Sequence, residues 1–121
     1  MIPILVVRDI QEAIAFYTRV LDFALRFSWP EESACYAGLA RGKEELHLNL
    51  TPGEGRFGHS SVIVLCEDVD VLFSGFVARG LNPPTRPDSP VHAGPLAQTW
   101  GTREFYVDDP SGNTLVFQQR R

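Results

Sequence analysis

The sequence of 121 residues predicts an α+β fold made of two βαβββ modules in tandem, forming a concave mixed sheet with the helices on its outer face. Three observations predict it. An apolar stripe at helical spacing occurs twice, strand-like runs follow each occurrence, and the chain closes on a hairpin turned by Asp109-Pro110-Ser111-Gly112. The whole chain, 1–121, reads as a single domain, with module one over about 1–55 and module two over about 56–121.

Ile4 to Val7 is a short buried strand. Asp9 then caps a helix, and Glu12 three residues later closes a capping box. Along that helix Ile10, Ala13, Ile14, Tyr17, Val20 and Leu21 fall on one stripe. Strands are expected at Ala24 to Phe27, Ala34 to Leu39 and Glu45 to Leu50, with turns at residues 29–32 and 41–43. After a loop rich in breakers at residues 51–56 the pattern restarts, with Ser60 to Cys66 as a strand and Asp68 at a helix start. Setting Asp9 on Asp68 places Ile10 on Val69, Ala13 on Leu72, Ile14 on Phe73 and Tyr17 on Phe76. Gly80 is the expected C-cap. A proline-interrupted strand near Asn82 to Arg86 and a loop from Pro87 to Thr99 lead into the hairpin.

Alternation in the hairpin puts Phe105 and Val107 on one face with Leu115 and Phe117. Glu104 and Tyr106 share the other face with Thr114, Val116 and Gln118, a mixture that suits a ligand-cavity wall or a half-exposed sheet face. Because each helix covers one face of its strands, the other face is left as an open trough that invites a ligand or a second copy. A homodimer is therefore expected.

The net charge of −4 argues against nucleic acid or an anionic membrane as the main partner and is compatible with a cationic ligand. Cys35 and Cys66 each fall inside an expected strand without metal-type spacing and read as reduced core residues of a cytoplasmic protein. The apolar start lacks a basic leader and a cleavage site and is too short to span a membrane. Neither an activated nucleophile nor a glycine-rich phosphate cradle is apparent.

Val7-Arg8-Asp9-Ile10, Ala15-Phe16-Tyr17 and Leu21-Asp22-Phe23, with Glu67-Asp68-Val69 and the closing hairpin, resemble the vicinal oxygen chelate superfamily of glyoxalases, ring-cleaving dioxygenases and bleomycin-resistance proteins. Trp100 to Phe105 followed by Asp109-Pro110-Ser111-Gly112-Asn113 is most similar to the bleomycin-resistance branch. In the superfamily's enzymes the resemblance implies a divalent metal bound by His, Gln or Glu on the first, fourth, fifth and eighth strands. Here those places fall on Ile2 or its neighbour, His47, Ser61 and Val116, of which only His47 is a good donor. No cofactor is expected, since a catalytic site takes about three protein ligands.

The expected function is metal-independent binding and sequestration of a bleomycin-like antibiotic, or a similar cationic or aromatic molecule, in a crevice at a dimer interface. The expected ligand-binding residues are Trp29, His47, Asn49, Ser61, Trp100, Arg103, Glu104, Tyr106 and Val116. Glu45, His47 and Asn49 alternate away from the leucines of their strand, toward the cavity. Trp29 and Trp100 flank strands beside loops, where the resemblance implies stacking on the ligand and the plain alternative is interface or core filling. Arg103 and Glu104 form either a ligand-contacting pair or a rim charge arrangement. The alternative is a metal-dependent enzyme of the glyoxalase or dioxygenase type. Its ligands would be His47, Glu104 and His59, the last brought into register by a bulge. For His92, between prolines and glycine, surface exposure is expected.

Overall fold

The computed structural model describes residues 1–51 and 55–120, so part of the loop expected at residues 51–56 lies outside the described residues. Two compact units are present, one of Met1–Ser60 with Asp108–Asn113, the other of Ser61–Val107 with the last strand. The architecture is the α+β arrangement of two tandem modules, each a four-stranded mixed sheet with one helix.

In the first unit β1 (Ile4–Val7) is followed by α1 (Ile10–Arg19), β2 (Ala24–Trp29), β3 (Tyr36–Arg41) and β4 (Glu44–Leu50), in the spatial order β1-β4-β3-β2. Parallel pairing sets Ile4 opposite His47 and Val7 opposite Leu50, whereas β3 runs antiparallel to both β4 and β2. Asp9 accepts the Glu12 backbone N–H at 3.0 Å and so starts α1. Glu12 does not return the bond. Its carboxylate takes the Arg8 guanidinium at 3.1 Å, a charged donor that outcompetes a backbone amide.

Ile10, Ala13 and Tyr17 of α1 are buried with Leu5, Val7, Leu39, Leu46 and Leu48. Burial of Tyr17 obliges its hydroxyl to find a partner, and it donates to Asp109 Oδ2 at 2.8 Å. The other carboxylate oxygen of Asp109 accepts the backbone N–H groups of Ser111 and Asn113, each at 2.9 Å. Asn113, with no exposed surface, donates through Nδ2 to Asp109 at 3.0 Å and to the Val6 carbonyl at 3.1 Å. The hairpin turn is thus part of the first unit's hydrogen-bonded interior. Gly58 (φ +73°) passes so close that a Cβ there would overlap the Ser111 carbonyl.

The second unit contains β5 (Ser61–Leu65), α2 (Val69–Ala78), a 3₁₀ turn (Pro90–His92), β6 (Leu96–Ala97), β7 (Thr102–Asp108) and β8 (Thr114–Arg120), in the order β5-β8-β7-β6. β5 is parallel to β8, with Ser61 opposite Thr114 and Leu65 opposite Gln118. Asp68 caps α2 as Asp9 caps α1, accepting from Asp70 and Val71 N–H at 3.1 Å. Val69 and Phe76 are buried as Ile10 and Tyr17 are, so the repeat read in sequence is a repeat in structure. Gly80 (φ +111°) ends the helix, with Leu81 N–H bonded to Phe76 C=O and Gly80 N–H to Val77 C=O, each at 3.0 Å. Phe105 and Phe117 stack at 5.0 Å, and Phe76 meets them edge-on at 6.0 and 5.1 Å.

Several expectations are corrected. No strand forms near Asn82 to Arg86, where Pro83 and Pro84 supply no N–H to a ladder. The edge strand is Leu96–Ala97, inside the segment read as loop, with Leu96 opposite Glu104. Cys35 and Cys66 lie just outside strand ends and are half-buried rather than core residues. His92 is 9% exposed, held in the 3₁₀ turn by Ser89 Oγ at 2.6 Å from Nδ1.

Tyr17→Phe removes a hydrogen bond to a buried carboxylate and is expected to lower unfolding free energy by about 1.5–3 kcal/mol, measured by urea denaturation. Burial first, then the charge of Asp109 and the hydrogen bond to it, hold the Tyr17 phenol well above its ordinary value. Its stabilising contribution is therefore complete below a pH of about 10 and is lost as pH rises through the raised value. In an alkaline absorbance titration one tyrosinate should appear only as the chain unfolds.

Candidate ligand-binding site

Strand register decides which side chains share the sheet face opposite each helix. In the first unit His47 faces Ile4 on one neighbour and Gly38 on the other. Phe27 also faces Gly38, and Tyr36 faces Trp29 and Asn49. These residues line the side away from α1, since Leu46 and Leu48 alternate with them and are buried beneath the helix. The absence of a side chain at Gly38 is what lets the Phe27 ring lie across the strand, because a Cβ there would overlap it. Phe27 and Tyr36 run nearly parallel, at 18° and 6.2 Å. His47 meets both edge-on, at 5.4 and 5.3 Å. Its Nδ1 lies 2.7 Å from the Tyr36 hydroxyl and its Nε2 lies 2.7 Å from Glu45. Trp29 is 68% and Phe27 45% exposed, so this face is a largely open aromatic surface.

In the second unit Glu104 is only 2% exposed, on the face away from α2. A buried carboxylate needs donors, and Gln118 Nε2 supplies one at 2.9 Å and Thr102 Oγ1 another at 3.3 Å. Arg120 fixes the Gln118 amide from its other end, donating to Oε1 at 3.0 Å. Partial burial, and then the charge of Glu104 and hydrogen bonding to it, raise the Tyr106 phenol above its ordinary value. The His92 ring meets Tyr106 edge-on at 5.5 Å. Buried Val116 lies on this face opposite Ile63, which with Leu65 remains more than half exposed.

A family model, the Glyoxalase/Bleomycin resistance protein/Dioxygenase superfamily, matches residues 3–117. The chain belongs to this superfamily. Among solved structures, TioX from Micromonospora sp. ML1 is similar at TM-score 0.80 and 23% identity, covering 100% of this chain and 98% of that one. A bleomycin resistance determinant encoded on the transposon Tn5 gives 0.79 and 23%, covering 100% and 97%. The bleomycin-binding protein of Streptomyces verticillus, complexed with copper(II)-bleomycin, gives 0.74 and 24%, covering 100% and 95%. At these identities the likeness establishes the fold. A search of curated proteins returned no significant match.

For this superfamily member the residues singled out in sequence divide between the two units. Trp29, His47 and Asn49 lie on the face of the first unit away from α1, and Ser61, Glu104, Tyr106 and Val116 on the face of the second away from α2, where Glu104 and Val116 are buried. Trp100, 65% exposed, stands just before β7. Arg103 does not join Glu104. Alternation turns it to the helix side, where it binds Asp70 with two bonds of 2.8 Å, and the hydrogen bond from Arg103 lowers the Asp70 carboxyl. No bulge shifts His59, which sits exposed outside any strand at φ +62°. Among the described residues no three His, Cys, Asp or Glu side chains gather as a metal-ligand set.

Phe27, Tyr36, Thr102, Gln118 and His92 were not singled out as site residues. Gly38 inside a strand pattern was the available signal for Phe27, since an interior glycine marks a close approach. Gly38→Ala should displace the Phe27 ring and cost about 1–3 kcal/mol in urea denaturation, with the aromatic proton shifts of Phe27, Tyr36 and His47 moving together by NMR.

Proposed function

We propose that this protein binds a bleomycin-like molecule, or another flat cationic ligand, and sequesters it in the cytoplasm without altering it, in a crevice at a homodimer interface. The observation that carries this reading is the exposed aromatic surface on the face of the first unit away from its helix. Trp29, Phe27 and Tyr36 offer flat rings there, and the second unit by itself carries a carboxylate, Glu104, on its own face away from the helix. Aromatic rings attract a cation or a heteroaromatic plane, and a desolvated carboxylate favours a cationic group that reaches it. The copper(II)-bleomycin complex of the Streptomyces verticillus neighbour supports the same ligand class. Sequestration needs only mass action, provided the protein exceeds both the drug and the dissociation constant.

Binding is favoured over metal chemistry by the state of His47. With Nε2 against Glu45, the one lone pair of the neutral ring lies on Nδ1, where the Tyr36 hydroxyl occupies it at 2.7 Å, and among the described residues no second and third ligand gather beside it.

Calorimetric titration with metal-free bleomycin should give saturable binding with one site per chain. Trp100→Ala should weaken it about tenfold or more, whereas Val116→Ala, which deletes about two methyl-sized groups, should do less. Unchanged affinity in Trp100→Ala, with an unchanged melting curve, would move the ligand elsewhere. Sedimentation equilibrium should give a dimer at micromolar concentration, and a clean monomer at high concentration rules out a crevice shared by two chains.

A further inference from the structure

We infer that Tyr36, His47 and Glu45 form a polarised relay that presents the Tyr36 hydroxyl oxygen as an acceptor for a protonated nitrogen on the ligand. The inference rests on the proposed small-molecule binding and specifies the chemical group recognised at one place on the open face of the first unit.

With the ring neutral, the contacts set the direction of the bonds. Glu45 Oε2 lies 2.7 Å from His47 Nε2, and a carboxylate can only accept there, so Nε2 carries the proton. In the neutral ring Nδ1 then holds the lone pair and accepts the Tyr36 O–H at 2.7 Å. With its hydrogen committed inward, Tyr36 keeps only lone pairs for anything that approaches from outside. Glu45 enriches the electron density of the imidazole and the imidazole that of the phenol oxygen, as each hydrogen bond in a chain polarises the next. A ligand N–H, above all one on an amidinium or ammonium group, matches this oxygen. A ligand carbonyl or carboxylate finds no donor in it.

The three residues are partly exposed. Tyr36 is half-buried, the His47 side chain is 16% exposed, and Glu45 lies at the open end of the relay with 45% of its side chain exposed. The nearly parallel Phe27 ring, 45% exposed, adds an aromatic face beside the oxygen, so the two together suit a flat cation rather than a compact one. His47 and Glu45 are positioning residues and Tyr36 is the contact. The arrangement has the form of a base oriented by a carboxylate and bonded to a hydroxyl, used here for recognition and requiring no bond to be made or broken.

Two measurements test the relay separately from the binding function. Nitrogen-15 NMR of the ligand-free protein at neutral pH should show His47 protonated at Nε2 and bare at Nδ1, with Glu45→Gln weakening that preference. A proton on Nδ1 in the parent protein overturns the relay whatever the protein binds. Calorimetry with metal-free bleomycin and with benzamidine should then show Tyr36→Phe, which keeps the ring, losing about tenfold in affinity, and His47→Gln losing a similar factor. Benzoate, of the same shape and opposite charge, should bind neither parent nor variants. If the parent binds bleomycin and Tyr36→Phe binds as tightly, the relay fails while the binding function stands. If the parent binds neither cation, both the binding function and the relay's recognition role fall.

Discussion

The hydrogen bond from Tyr17 to Asp109 is the constraint on which the rest of the first unit depends. A phenol at the centre of a helix stripe buries its ring readily but not its hydroxyl, and among the buried side chains here a carboxylate 92 residues away supplies the partner. Asp109 in turn arranges Ser111 and Asn113, and Asn113 reaches the β1 carbonyl at Val6. A turn that would ordinarily be a solvated tip is therefore interior. Its position fixes where β7 ends and β8 begins, and so which residues of the hairpin fall on each face.

Facial segregation follows from that register. Leucine, valine and phenylalanine alternate with polar and aromatic residues along β4, β7 and β8, and the helix in each unit covers the more apolar set. The opposite faces carry the chemistry: a phenol, imidazole and carboxylate in one unit, and a carboxylate bonded by amide and hydroxyl in the other. The polar groups on these faces are mutually satisfied and therefore held in place before any ligand arrives, which lowers the ordering cost of binding.

Much of the fold was legible because it is written in local rules. Asp9 and Asp68 are capping residues with the same stripe behind them, Gly80 follows the C-cap Arg79 at positive φ, and the hairpin announces its turn. What escaped the sequence depends on partners far away in the chain. Pro83 and Pro84 suggest an interrupted strand, whereas their missing donors abolish it, and the edge position passes to Leu96–Ala97, too short to leave a period. His92 is buried through Ser89 and Tyr106, and no local pattern foretells that. Arg103 and Glu104 are neighbours in sequence whose alternation separates them, and the deciding fact was an aspartate on α2 that captures the arginine. The Tyr36 and Phe27 surface needed the pairing of three strands, with Gly38 as its one trace in the sequence.

The central claim is that the faces away from the helices carry the ligand. Chemical-shift mapping during a titration with metal-free bleomycin tests it most directly. Progressive shifts are predicted at Phe27, Tyr36 and His47 in one unit and at Trp100, Glu104 and Tyr106 in the other, with the outer sides of α1 and α2 unmoved. Shifts confined to the exposed side of α2, around Val71 and Val77, or no shifts at millimolar ligand, would contradict it.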